Sequence, residues 1–342
     1  MTVTGAAIAV VVVVLLIWTT LEVLLLMFAG VLVAVLLGLL GSTVARTPGL
    51  GYGMALTLVL AAVIAVTTLG VLARGPEVAA EMQTLAQGMS DSVEDLKTMV
   101  SGNPMGLYAL ENFHRIDVPS QQMWSQLTGV SATVVGFLGA ILIVVFVGIF
   151  VAYNPPLYVN GLLRLVPLGR RARVCEVMAE LGVTLRWWML GQLASMVILW
   201  LSTWLVLHLL GVPLAFTLGL LTGLLTFIPY LGPLIAVIPI AVVAFMHDPA
   251  LAVLAVGAFL VIQAIESNLI MPIVFQKTVH LPPALTVVSQ LVMGSVLGFL
   301  GVLLATPLLA VALVLVRMLY VEDALGDDLD EPVENPEERL PG

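Results

Sequence analysis

The chain has 342 residues, 61% hydrophobic and 10% charged, where soluble domains carry about 25% charged residues. No soluble core of this size could hide so much apolar side chain, so lipid is the solvent for much of the chain. The net charge of -9 sits in a tail: from Glu322 onward there are nine acids and one base, Arg339, and the other twelve acids and eleven bases nearly cancel. That balance argues against nucleic-acid binding.

A single cysteine, Cys175, excludes an intrachain disulfide and a multi-cysteine metal site. No basic stretch precedes the first apolar run, so the N-terminus reads as retained helix rather than a cleaved signal. The apolar run from Gly5 to Gly41 is too long for one span of about 20 residues. The polar stretch Trp18-Thr19-Thr20-Leu21-Glu22 predicts a turn between two short helices. A third span, Tyr52 to Leu72, is expected to end at Arg74-Gly75-Pro76, closing a first block at residues 1–75. Residues 76–128 are polar, with seven acids against Lys97 and Arg115. Within them Val78, Met82, Leu85, Met89, Val93, Leu96 and Val100 form one apolar stripe at helical spacing. The stripe reads either as a helix lying on its own domain or the membrane surface, or as a seam in a homo-oligomer.

Gly129 to Tyr153 is a fourth span, stopped by Asn154-Pro155-Pro156. Residues 154–189 carry Arg164, Arg170, Arg171, Arg173 and Arg186. The positive-inside rule puts them in the cytoplasm, which places 76–128 outside and Arg46 inside. Residues 190–320 hold four further segments. Two of these, 214–246 and 285–320, are over-long and interrupted by glycine and proline. The acidic tail, 321–342, has too few apolar residues to fold. Eight crossings put both termini in the cytoplasm.

The two over-long segments resemble each other, with Leu231-Gly232-Pro233 in one and Leu300-Gly301 with Pro307 in the other. Paired interruptions of this kind mark broken helices at a transport site. If Pro229 and Pro272 continue their helices, they free the carbonyls of Leu225 and Asn268. Glu266 is the sharpest feature, because a charge within the bilayer costs about 3 kcal/mol on insertion scales. Gln263 shares its helical face, whereas Asn268 points elsewhere. Glu266 reads as a proton carrier, as a ligand for a cation or polar solute, or as part of a helix-packing network. Glu22, His208, His247 and Asp248 read as boundary residues. No H-E-x-x-H, G-x-S-x-G or P-loop pattern is present, so no enzyme activity and no cofactor are expected.

These motifs, in order, resemble the autoinducer-2 exporter family of bacterial membrane proteins, also described as PerM-like permeases. The resemblance covers roughly residues 5–320. It rests on Gly191-Gln192, Gly211-Val212-Pro213 and Phe227-Ile228-Pro229-Tyr230-Leu231-Gly232-Pro233. It continues through Gln263-x-x-Glu266-x-Asn268-x-x-x-Pro272 and Gly298-x-x-Gly301 with Ala305-Thr306-Pro307-Leu308. One departure is Leu281-Pro282-Pro283 where the family often has His-Pro, with His280 displaced. The resemblance implies eight membrane segments, a large external insertion, and export of small molecules such as autoinducer-2; some members are linked instead to Na⁺(Li⁺)/H⁺ antiport.

The expected protein is therefore an all-α polytopic protein of the bacterial inner membrane, with two broken or re-entrant segments. The expected site draws on Glu266, Gln263, Asn268, Pro272, Pro229, Gly232, Pro233, Gly301, Pro307 and Gln192. The expected partners are the lipid bilayer and a small polar solute, or a monovalent cation and proton. The leading function is solute export, the alternative is cation/proton antiport, and the rival of another class is a membrane scaffold.

Overall fold

A backbone in lipid must satisfy its own hydrogen bonds, and the described residues do so as helices. The computed structural model describes residues 3–101, 132–271 and 281–327. Five of its helices are long and apolar enough to cross a membrane, six if one bent pair counts as a span, and two shorter apolar helices accompany them. The expected count of eight is not reached among the described residues.

The first departure is at the N-terminus. α1 (Val3–Val44) is one continuous helix, not two. Trp18 to Glu22 contains neither glycine nor proline, and threonine hydroxyls can bond the backbone a turn behind without ending a helix. A cytoplasmic N-terminus follows by parity only with two helices before Arg46, and α1 is one. The second departure follows. α2 (Tyr52–Ser101) runs straight through Pro76, so the third span does not end at Arg74-Gly75-Pro76. A proline in a helix removes one backbone bond, and packing on both sides of Pro76 holds this helix: Leu56 and Val59 in one core, Leu85 in another. The later half of the 76–128 segment lies outside the described residues.

The chain divides into two units, residues 1–153 with 189–276, and residues 154–188 with 277–342. In the first, α1 packs against α3 (Ala132–Tyr153) through glycines. A Cβ on Gly30 would lie 2.5 Å from a Val147 methyl, and one on Gly148 would lie 2.6 Å from a Val33 methyl. Small residues let membrane helices approach where lipid supplies no hydrophobic drive between them. Tyr52 at the head of α2 donates its hydroxyl to the Ala152 carbonyl at the foot of α3, 2.8 Å away.

The same unit contains most of α5 (Arg171–Leu209), then α6 (Ala215–Leu225), α7 (Leu231–His247) and α8 (Pro249–Ile265). α6 runs antiparallel to α5. Phe216 meets the rings of Trp200 and Trp204, Gly219 lies against Trp204, Gly223 lies against Trp200 and Met196, and Thr226 reaches Gln192. α7 then returns: its residues Ala236, Ile240, Val243 and Ala244 share a core with Ala215 and Leu218 of α6, and with Leu85, Leu207, Ala255 and Phe259. Segment 214–246 is thus a helical hairpin, not a kinked span. Its open end is covered by α2, where the Glu81 carboxylate accepts from the Thr217 hydroxyl and Gly88 lies beside Met246. Met82 and Leu85 of the apolar stripe therefore pack on the chain's own hairpin. The stripe's side chains from Met89 onward lie outside the described residues.

The second unit contains α4 (Pro155–Arg164), the first half of α5, and α9 (Pro283–Leu315), which continues as a π-helical stretch, Val316–Leu325. α9 folds back on itself at Gly298, whose dihedrals (φ 61°, ψ -145°) are not helical. Gln290 donates to the Thr306 hydroxyl at 3.4 Å, although sixteen residues of straight helix would separate them by about 24 Å. Segment 285–320 is therefore a second hairpin. At the far end of its return arm, Arg173 of α5 pairs with Glu322 at 2.8 Å and Asp323 at 2.9 Å, and donates to the Met318 carbonyl at 2.9 Å.

Candidate functional site

α6 advances from Phe216 to Thr226 while its partner on α5 steps back from Trp204 to Gln192. The hairpin tip therefore lies opposite Gln192, seventeen residues before the end of α5 at Leu209, a depth of about 25 Å. α8 starts at the hairpin's open end, with the Asp248 carboxylate accepting from the Ala250 N–H at 3.1 Å. Its seventeen residues carry the chain back down by about the same distance. Glu266 follows at once. Two helices and a hairpin tip thus bring Gln192, Ser195, Thr226, Tyr230, Gln263 and Glu266 to one level of the first unit.

The tip itself is tight. The Ile228 N–H donates to the Leu225 carbonyl at 3.0 Å, the Leu231 N–H to the Pro229 carbonyl at 2.8 Å, and the Gly232 N–H to the Ile228 carbonyl at 2.9 Å. The bond across Tyr230, with φ 64° and ψ -53°, makes that residue the centre of a classic γ-turn, a rare and strained conformation. Residues held in such regions cost about 1–3 kcal/mol and concentrate at functional sites. This geometry corrects one expectation. Pro229 does not continue a helix, and the Leu225 carbonyl is not freed but accepts from Ile228. Gly232 and Pro233 begin the return arm, both buried.

Glu266 is 4% exposed, Gln192 2% and Ser195 1%. Gln263 donates its side-chain amide to the Glu266 carboxylate at 3.2 Å, as the shared helical face required. Gln192 donates its amide to the Thr226 carbonyl at 2.5 Å. The Ser195 hydroxyl faces the Glu266 carboxyl without closing to hydrogen-bond geometry, and Tyr230 lies within the field of the same carboxyl. Three oxygens here have no hydrogen-bond partner: Gln192 Oε1, Ser195 Oγ and Gln263 Oε1. Among the described residues no ion pair reaches Glu266. Buried polar atoms are normally paired, so a buried carboxyl group at the same level as three unpaired oxygens makes an acceptor-rich site for a donor or a cation.

Glu266 also opens a π-helical turn, Glu266–Ile270, in which the Met271 N–H donates to the Glu266 carbonyl. Such turns recur at functional sites because they re-aim a side chain within a continuing helix. Asn268 is exposed and donates to the Ala264 carbonyl at 2.8 Å, so it is not part of the cluster. Gly301 and Pro307 belong to the second unit. Of the three late segments expected to meet, the hairpin tip and the end of α8 come together within the first unit. Pro272 and His280 lie outside the described residues. Ser195 and Tyr230 were not among the expected residues. Ser195 stands three positions after Gln192, on the same helical face, a signal that periodicity alone contains.

Gln192→Leu tests the link between α5 and the tip. It leaves the buried Thr226 carbonyl without its donor, which costs about 1–3 kcal/mol. The expected result is a melting temperature in detergent lowered by several degrees; an unchanged melting temperature would show that the bond does not hold the tip.

Residues 7–320 match the AI-2E family transporter pattern. Among curated relatives, the chain is 27% identical to "Putative transport protein YueF" of Bacillus subtilis (strain 168) over 191 residues, 56% of this chain and 52% of that one. It is 24% identical to "Putative permease PerM" of Escherichia coli (strain K12) over 237 residues, 66% and 67% of the two chains. It is 32% identical to "Putative transport protein MT0215" of Mycobacterium tuberculosis over 105 residues, 30% and 29%. The match therefore spans about half the length of YueF and a third or less of MT0215. With the family pattern covering nearly its whole length and apolar helices throughout, the chain is a multi-pass membrane protein that belongs to the AI-2E transporter family.

Proposed function

We propose that this chain is a secondary transporter of the bacterial inner membrane that exports a small polar solute, with Glu266 binding the solute or a coupling proton. The observation that carries the reading is the buried carboxyl of Glu266 at the same level of the unit as the unpaired oxygens of Gln192, Ser195 and Gln263. A packing network would use up those acceptors, because each unsatisfied buried group costs about 1–3 kcal/mol. A site that takes a hydrogen-bond donor from a passing solute has to keep them open. The γ-turn at Tyr230 puts backbone strain at the site, of the kind that clusters at ligand clamps and switch regions. Family membership supports transport in general, and the direction, coupling and substrate belong to this proposal.

A second reading is Na⁺ or Li⁺ exchange for protons. It is favoured by the chemistry of the acceptors, which are all oxygen, with one carboxyl and no paired base among the described residues. Oxygen ligands suit hard cations.

Proteoliposomes loaded with a pH-sensitive dye separate the two. Solute-driven proton movement without a response to Na⁺ or Li⁺ gradients supports export. A proton flux driven by Na⁺ or Li⁺ alone supports exchange. No flux under any imposed gradient, from protein shown to be folded, would overturn both.

A further inference from the structure

We infer that α4 and the turn after it form an interfacial helix that binds anionic phospholipid headgroups through Arg164 and Arg170. α4 begins two residues after α3 ends at Tyr153, where Asn154 (φ -140°, ψ 69°) breaks the helix and two prolines restart it. It is the most amphipathic element of its unit and has no buried residue. Tyr158, Leu162 and Leu165, at i, i+4 and i+7, line one edge and are 40%, 55% and 83% exposed. Asn160 and Arg164, at i and i+4, line the opposite edge, which begins at Leu157, 62% exposed. Val159 and Leu163, also at i and i+4, are half-buried. Beyond α4, Leu168 adds a further apolar side chain, 78% exposed.

The arginines of this region divide by what holds them. Arg171 donates to the carbonyls of Val166 at 3.0 Å and Arg164 at 3.4 Å, so it closes the C-terminal end of α4. Arg173 is held by Glu176, Glu322 and Asp323. Arg164 and Arg170 are exposed, and no acid pairs with them among the described residues. A short amphipathic helix with exposed leucines, joined without a linker to an apolar membrane helix, satisfies its apolar edge in the headgroup boundary, and its unpaired guanidinium groups meet phosphate there. Arginine suits that role because its fork engages phosphate oxygens in pairs. The acids at Glu322 and Asp323 already occupy Arg173, which leaves these two positions for lipid.

The test uses the full chain with Cys175→Ser, carrying a fluorophore on a single cysteine at Asn160, Leu162 or Leu165, in vesicles of phosphatidylcholine with or without phosphatidylglycerol. The labels at 162 and 165 should be quenched by spin-labelled acyl chains and shielded from iodide, and the label at 160 should show the reverse. Arg164→Gln with Arg170→Gln should lose the enrichment of phosphatidylglycerol around the protein, by about fivefold per arginine. The corresponding pair of lysine substitutions should retain most of it. Equal iodide quenching at all three positions, or cross-linking of Leu165→Cys between two copies in place of lipid quenching, would overturn the assignment. So would a glutamine pair whose lipid enrichment matches the unsubstituted protein.

Discussion

Glu266→Gln is expected to lower transport by about a hundredfold while leaving the protein at least as stable as before. The two halves of that result have one cause. Glu266 is buried with a single amide donor, Gln263, and a hydroxyl, Ser195, that does not reach hydrogen-bond geometry. A buried carboxylate with so few partners is a burden on folding. A neutral amide of the same shape lightens it, and stability gained at the expense of function is a recurring mark of functional sites. The loss of flux follows from charge. A hydrogen bond to an ionised group contributes about 1.5–3 kcal/mol, and about 1.4 kcal/mol is a tenfold change. Flux in proteoliposomes and thermal unfolding in detergent measure the two halves. Unchanged flux together with a lowered melting temperature would identify Glu266 as a packing residue.

Gly232→Ala and Gly301→Ala are expected to be the most damaging substitutions to the fold. A Cβ at residue 232 would lie 1.8 Å from the Leu225 carbonyl oxygen, and one at residue 301 would lie 2.1 Å from that of Met293. Both obstacles are backbone, and the Leu225 carbonyl is fixed further by its bond from Ile228. The arms of each hairpin would have to part. Overpacking of a fitted interior costs about 1–3 kcal/mol and occasionally more. These contacts fall far inside van der Waals distance, so the upper end is expected, with melting temperatures lower by roughly 10 °C. Gly257→Ala is the control: nothing lies within 4 Å of its Cβ position, and the gain in helix propensity is about 1 kcal/mol. Similar melting temperatures for all three variants would mean that the hairpins are not folded as described.

These glycines also show how much of the fold was legible. The likeness between Leu231-Gly232-Pro233 and Leu300-Gly301 has a physical counterpart, since each glycine sits just past a hairpin tip and presses on a carbonyl of the outgoing arm. What composition could not decide was whether the chain kinks or reverses there. That depends on single dihedrals: a γ-turn at Tyr230, which a tyrosine rarely adopts, and a positive φ at Gly298. The misplaced boundaries have the opposite origin. Trp18 to Glu22 and Arg74-Gly75-Pro76 look like punctuation, but a helix continues through both. In the second case its continuation is held by Leu85 in the hairpin core and by Arg74 over the ring of Phe216, 5.3 Å from its centroid. Long-range packing of that sort leaves no local trace.

The candidate site was legible where it depended on one helix and hidden where it depended on several. Gln263 and Glu266 share a face by spacing alone, and their side chains meet. Ser195 follows Gln192 by the same rule. That α5, the hairpin tip and α8 bring these residues to one depth required the antiparallel register of α6 along α5. The buried glycines Gly219 and Gly223 set that register by admitting the backbone of α5 at Trp200 and Met196.

The most direct test asks whether water and solutes ever reach this cluster. Ser195 is 1% exposed, so a static packing network would keep it sealed, whereas a transport site must open during its cycle. With Cys175→Ser as the background, Ser195→Cys and Tyr230→Cys would be treated in sealed vesicles with a small membrane-impermeant thiol reagent. Ala55→Cys, at a position 0% exposed near the start of α2, serves as the buried reference. The account predicts modification at residue 195 and none at residue 55, with residue 230, already 42% exposed, as the accessible reference. A cysteine at residue 195 as inert as the one at residue 55, in vesicles whose protein is folded, would contradict it.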